Sequence, residues 1–249
     1  MIVEKITIQG AGDVSLAAYI QEPSREMPNM TRRPAVLVIP GGGYEMCSDR
    51  EADPVAAIFM AEGYSTFVLR YSVKKAAEWP NPLRDAENAL RLIRENAARW
   101  DIDPDRIAAI GFSAGGHLTA ALSLLGEEKP NAMILGYPCI LAEHPCITAV
   151  HAPSLDGYVT PQTPPTFLFA ASDDDCVPIR NSLRFASALD LAGVPFQLHI
   201  FEKGGHGFST ANQVVAPTQQ YCDAVREDKE WTTLCVRWLN RIFGIDPRK

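Results

Sequence analysis

Apolar positions follow two rhythms along this chain. At the start, Ile2, Glu4, Ile6 and Ile8 alternate in character, which predicts a strand with one buried face; Ser15–Ile20 predicts a second. Gly10, Gly12 and Asp13 carry turn chemistry between them, so the two read as an antiparallel hairpin. Past the polar, Pro-containing stretch 22–33, unbroken apolar runs appear at 35–39, 66–69, 107–110, 132–135 and 166–170, with a last strand at Phe196–Phe201. Runs of that length, bounded by Gly and Pro, predict strands covered on both faces, as in a parallel sheet.

Helical spacing fills the gaps between these runs. Leu83, Ala86, Leu90, Ile93, Ala97 and Trp100 recur at three- and four-residue steps and predict one buried helix face. Asn81 is the expected N-cap and Pro82 the first helical residue. Weaker patterns cover 54–61, 114–125, 179–191 and 228–243. Alternating strands and helices with short links predict a doubly wound α/β fold: a mostly parallel, eight-stranded sheet flanked by helices. One link departs from this scheme. Segment 138–165 is rich in Pro, His and Cys without a clear period, and reads as a lid or pocket wall, or else as a surface loop.

Composition narrows the picture. With 249 residues, 47% of them hydrophobic and 21% charged, the chain can bury a core, and its length suits one large α/β domain spanning 1–249. Its 19 Pro and 17 Gly have no repeat period, which excludes collagen-like and solenoid architectures. A net charge of −7 argues against a nucleic-acid partner and fits a neutral small molecule better than a polyanion. No apolar run approaches the roughly 20 residues a membrane-spanning helix needs, and the first residues show no secretory pattern. Six cysteines (Cys47, Cys139, Cys146, Cys176, Cys222, Cys235) form no C-x-x-C pair, so neither a zinc knuckle nor a dithiol redox site is expected. Reduced thiols in a cytoplasm are the simplest account.

Candidate chemistry concentrates at run ends. Gly111-Phe112-Ser113-Ala114-Gly115 matches G-x-S-x-G, with a predicted strand before it and a predicted helix after it. That context suits a nucleophilic serine held on a tight turn above a sheet. Pro40-Gly41-Gly42-Gly43-Tyr44 follows run 35–39. Three glycines in a row are entropically costly, and bare N–H groups of Gly42 and Gly43, joined by that of Ala114, suit an oxyanion hole. Of the five histidines, His206 sits between glycines just after the last strand and is the expected general base. His199 lies within the strand pattern and reads as packed; His117 reads as a supporting or capping residue; His144 and His151 fall in the long link and can line a pocket. The acid is expected after run 166–170, where Asp173, Asp174 and Asp175 are adjacent. At most one of three neighbouring carboxylates can be buried, ionised and turned to the imidazole, and residue type does not choose among them.

Taken together, segments 40–44, 82–100, 103–107, 111–117, 163–167, 173–178 and 204–208 resemble the α/β-hydrolase superfamily. The closest likeness is to its small acetyl-esterase and carbohydrate-esterase-like branch, akin to hormone-sensitive-lipase-like esterases. The resemblance implies that the acid lies four residues before the Pro of a D-x-x-V-P motif. With Val177 and Pro178 in place, that position is Asp174. Lipase-like relatives carry His where this chain has Pro40, so the resemblance favours acetyl esterases over lipases.

What the resemblance implies is a serine esterase acting on short acyl esters, acetyl above all, of acceptors such as acetylated sugars or xylo-oligosaccharides. Ser113, Asp174 and His206 would form the triad. No cofactor and no metal are expected. Two alternatives remain: a peptidase of the prolyl-oligopeptidase type, whose relatives usually carry a propeller for which 249 residues leave no room, and a non-catalytic binding module on a hydrolase fold.

Overall fold

A computed structural model of the protein describes residues 1–218, 221 and 229–245. Cys222 and the first residue of the 228–243 pattern lie outside the described residues. Eight strands form one sheet in the order β1-β2-β4-β3-β5-β6-β7-β8. They are β1 (Ile2–Thr7), β2 (Ser15–Ile20), β3 (Arg33–Ile39), β4 (Ser65–Arg70), β5 (Ile102–Phe112), β6 (Ala132–Gly136), β7 (Thr166–Ala171) and β8 (Phe196–Phe201). β1 and β2 form the antiparallel hairpin, with Ile2 opposite Ile20 and Thr7 opposite Ser15, and β2 runs antiparallel to β4. From β4 to β8 every pairing is parallel.

The unbroken apolar runs follow from helices on both faces. Along β3, Ala35, Leu37 and Ile39 face one core while Val36 and Val38 face the other. Helices α2 (Asn81–Glu95), α3 (Ser113–Leu125) and α5 (Arg180–Leu191) cover the first face through Leu83, Leu90, Leu118, Leu122, Phe185 and Leu189. Helices α1 (Asp53–Ala61) and α6 (Glu230–Ile242) cover the second through Val55, Phe59, Trp231 and Leu239. Trp231 stacks on Phe169 of β7 at 4.1 Å between ring centroids.

Two local expectations change. Asn81 is the first residue of α2 rather than its cap: Pro80 holds the cap position, no side chain caps the helix, and the Asn81 amide donates to the Ala76 carbonyl. The helix also ends at Glu95, so Ala97 and Trp100 are buried in the turn that leads to β5. There Trp100 packs against Phe67 with centroids 5.2 Å apart, and tertiary packing rather than helix geometry explains its apolar spacing.

Segment 138–165 is folded onto the body. It contains the five-residue helix α4 (Pro145–Ala149) and a 3-10 turn at Asp156–Tyr158. The buried Asn181 of α5 accepts the N–H groups of Ile140 and Leu141 at 2.9 and 3.0 Å, and Leu155 N–H donates to the Ile140 carbonyl. Ile140, Leu141, Ile147 and Leu155 are buried in the first core, so the segment packs against the body.

Candidate active site

Each candidate group leaves the C-terminal end of a parallel strand, where open α/β sheets gather their sites. Gly42 and Gly43 follow β3, Ser113 follows β5, Asp174 follows β7, and His206 follows β8. Ser113 opens α3 with φ of +51°, in the left-handed region that costs a side-chain-bearing residue on the order of 1–3 kcal/mol. Glycine makes that turn sterically feasible: a Cβ on Gly115 would collide with the carbonyl oxygens of Ile39 and Pro40.

From this bend the Ser113 hydroxyl meets His206 Nε2 at 2.9 Å, and His206 Nδ1 meets Asp174 Oδ2 at 2.7 Å. An ionised carboxylate only accepts, so the imidazole proton belongs on Nδ1 and the Nε2 lone pair faces the hydroxyl. The Asp174 side chain is 1% exposed. Its other oxygen accepts the N–H groups of Cys176 and Val177 at 3.0 and 2.8 Å, which fixes its direction. The neighbouring acids face elsewhere. Asp173 is exposed and accepts Gly205 N–H at 2.9 Å, steadying the histidine loop, and Asp175 is exposed.

The glycine loop lies against the serine: a Cβ on Gly41 would stand 3.1 Å from the Ser113 Cβ. Gly42 has φ of +124° and Gly43 +64°, and any Cβ on Gly42 would strike the Met46 carbonyl. Gly41 N–H donates to Glu51 Oε2 at 2.8 Å. Among the hydrogen bonds of the described residues, none takes up the N–H of Gly42 or Gly43. Ala114 N–H belongs to the first turn of α3, which has no intrahelical acceptor for it.

Sequence patterns missed the supports. Glu51 is buried; burial pushes its carboxyl up, opposed by hydrogen bonds from Tyr137 and from Gly41 N–H. Tyr137 donates to Glu51 at 2.7 Å, accepts Ser209 N–H at 3.0 Å, and sets its ring 5.1 Å from that of His206. One buried carboxylate thereby ties the glycine loop to the histidine loop. Arg50 adds donations to the carbonyls of Val215 and Gly207. The only sequence signal was position, since Tyr137 directly follows a parallel strand.

The other histidines separate clearly. His117 is fully buried: its Nε2 meets the Pro153 carbonyl at 2.9 Å and its Nδ1 meets the Tyr44 hydroxyl at 2.8 Å. Burial holds its pKa down at about 4, so it is neutral. His199 tilts against Phe167 at 4.9 Å. His151 is exposed beside Glu78, away from the hydrogen bonds that link Ser113, His206 and Asp174. His144 accepts Cys146 N–H at the start of α4. Cys146 lies beside Gly43, 3.8 Å from where a Cβ on that glycine would stand. The sulfurs of Cys139 and Cys146 share a hydrogen bond that pushes the Cys139 thiol up, with burial adding to the effect, and leaves Cys146 the more acidic of the two.

Comparison with known proteins places the fold among known families. A family model described as BD-FAE matches residues 21–134, and one for the prolyl oligopeptidase family matches residues 147–224. The crystal structure of MGS-M1, an α/β-hydrolase enzyme from a Medee basin deep-sea metagenome library, is 41% identical over 98% of both chains, with a TM-score of 0.90. An acetyl ester-xyloside bifunctional hydrolase from Caldicellulosiruptor lactoaceticus is 35% identical over 94% of this chain and 89% of that one, with a TM-score of 0.81. An acetylxylan esterase of Xylanibacter ruminicola is 33% identical over 196 residues, or 70% of this chain. The chain spans between 33% and 41% of the length of the first curated relatives it matches. On strand order, elbow geometry and these likenesses, the chain belongs to the α/β-hydrolase superfamily, in its esterase branch.

Proposed function

We propose that the protein is a serine esterase that removes short acyl groups, chiefly acetyl, from hydroxylated acceptors such as acetylated sugars or xylo-oligosaccharides. The observation that carries this reading is the unbroken chain Ser113–His206–Asp174, with contacts of 2.9 and 2.7 Å. His206 takes the Ser113 proton as the hydroxyl attacks the ester carbonyl. Asp174 holds the imidazole tautomer and stabilises its charged form. Gly42, Gly43 and Ala114 receive the developing oxyanion. The alcohol leaves with the proton from His206, and water then releases the acid from acyl-Ser113. No step needs a cofactor or a metal. The acetyl preference is supported by the likeness to an acetylxylan esterase and an acetyl ester-xyloside hydrolase. We take 1–249 as one hydrolase domain that works in the cytoplasm on a small-molecule ester, with no nucleic-acid or membrane partner; no described helix is long and apolar enough to cross a membrane.

The match of residues 147–224 to the prolyl oligopeptidase family favours a second reading, a peptidase. Turnover of p-nitrophenyl acetate against a matched p-nitroanilide separates the two. The esterase reading expects rapid ester release, falling by acyl chain length, and loss of several orders of magnitude in Ser113→Ala. Preferential anilide cleavage would favour the peptidase, and no turnover of either would favour a non-catalytic fold.

A further inference from the structure

Cys139, His144 and Cys146 take no part in the acyl transfer above, yet their donor atoms all lie within 4.8 Å of one another. The two sulfurs are 3.8 Å apart, and His144 Nδ1 is 3.1 Å from the Cys146 sulfur. Tetrahedral zinc, with Zn–S of about 2.3 Å and Zn–N of about 2.0 Å, separates two sulfurs by about 3.8 Å and sulfur from nitrogen by about 3.5 Å. The first edge is already in place, and the second needs a widening of roughly 0.4 Å.

The imidazole is also set for the task. His144 Nε2 faces the Cys176 carbonyl at 3.0 Å. A carbonyl only accepts, so Nε2 carries the proton and Nδ1 is left as the acceptor; it takes Cys146 N–H at 3.3 Å and lies 3.1 Å from the Cys146 sulfur, and metal binding would replace that N–H contact. Metal-bound histidines are held in the same way, through a donation from the far nitrogen. A cavity of about 260 Å³ is bordered by His144 and Cys176. Two thiols and an imidazole select borderline or soft divalent ions over Mg²⁺ or Ca²⁺. No C-x-x-C pair announces the set, because the fold of the 138–165 segment assembles it.

We infer that Cys139, His144 and Cys146 form a three-donor site for a zinc-class divalent cation, and that filling it blocks the Ser113 centre. As two S–metal bonds and one N–metal bond form, the two thiol protons pass to solvent, and no electrons are exchanged. The fourth coordination position stays open to water or to the serine oxygen. Blockage follows from position. Cys139 N–H donates to the Ser113 carbonyl at 3.0 Å, and Cys146 flanks Gly43. A cation on these sulfurs would sit beside the backbone turn that carries Ser113 and beside the glycine loop.

The test titrates chelator-treated, full-length protein with Co²⁺ and then Zn²⁺. The expected result is one equivalent of Co²⁺ with a thiolate-to-cobalt charge-transfer band, displaced by Zn²⁺. Turnover should fall about tenfold or more with Zn²⁺ bound and return with chelator. Cys146→Ala and His144→Ala should each weaken binding by about tenfold or more, each variant's own metal-free turnover serving as the reference. Circular dichroism confirms that both fold, and neither replaces the more deeply buried Cys139. The band should persist in Ser113→Ala, which keeps this result separate from the esterase reading. Absence of the band would overturn the inference. So would zinc inhibition of undiminished potency in Cys146→Ala, which would place the ion on the triad histidine.

Discussion

Asp173, Asp174 and Asp175 are chemically identical neighbours, yet the fold gives them three different surroundings. Asp174 is buried against the imidazole with two N–H donors on its second oxygen; Asp173 steadies Gly205; Asp175 is exposed. Residue type could not separate them, because the choice depends on where the chain turns after β7. Family spacing did point to Asp174. Asp174→Asn should therefore lower kcat by about 10⁴-fold with the fold intact, since the amide leaves His206 in the wrong tautomer. Asp175→Asn should stay near wild type, and Asp173→Asn should change turnover only modestly. Steady-state kinetics on p-nitrophenyl acetate checks all three, and a crippling effect at 173 or 175 would reassign the acid. Glu51 and Tyr137 were beyond the reach of any such pattern. Their roles arise from contacts across 86 and 72 positions of sequence, to each other and from Tyr137 to Ser209.

Among the elements, α3 and the 138–165 segment meet at His117. Its ring bridges Tyr44, at the end of the glycine loop, and Pro153, within the segment. The helix spacing around 114–125 was readable in sequence, but the partner of its histidine was not, since the segment has no period to read. Burial lowers the His117 pKa from 6.5 to about 4. Between those values the unfolded chain binds a proton that the folded chain refuses, so protonation favours unfolding. The contribution is complete above pH 6.5 and is lost as pH falls from 6.5 towards 4, amounting to on the order of 3 kcal/mol. Denaturant unfolding at a series of pH values should show that wild type loses this much more stability than His117→Gln. Parallel pH dependences would show that the histidine does not control stability there.

At the scale of the whole molecule, the sheet was the most legible feature. Apolar runs mark β3 to β7 because helices cover both faces, and alternation marks β1 because part of it faces water. Boundaries were less legible. α2 stops at Glu95 although its apolar spacing continues to Trp100, which is buried by Phe67 rather than by a helix face. The candidate site was legible where chain direction and strand ends dictate it: Ser113, the glycine loop and His206 each follow a strand. The sulfur and imidazole cluster was not, because it needs the 138–165 segment to fold back over the serine.

The proposed reaction requires the Ser113 hydroxyl oxygen to take the acyl group. Rapid quenching during turnover of p-nitrophenyl acetate, followed by peptide mass mapping, reads that directly. The expected result is an added acetyl group on the peptide carrying Ser113, and none in Ser113→Ala. Acetyl carried instead by Cys146, or full turnover in the alanine variant, would contradict it.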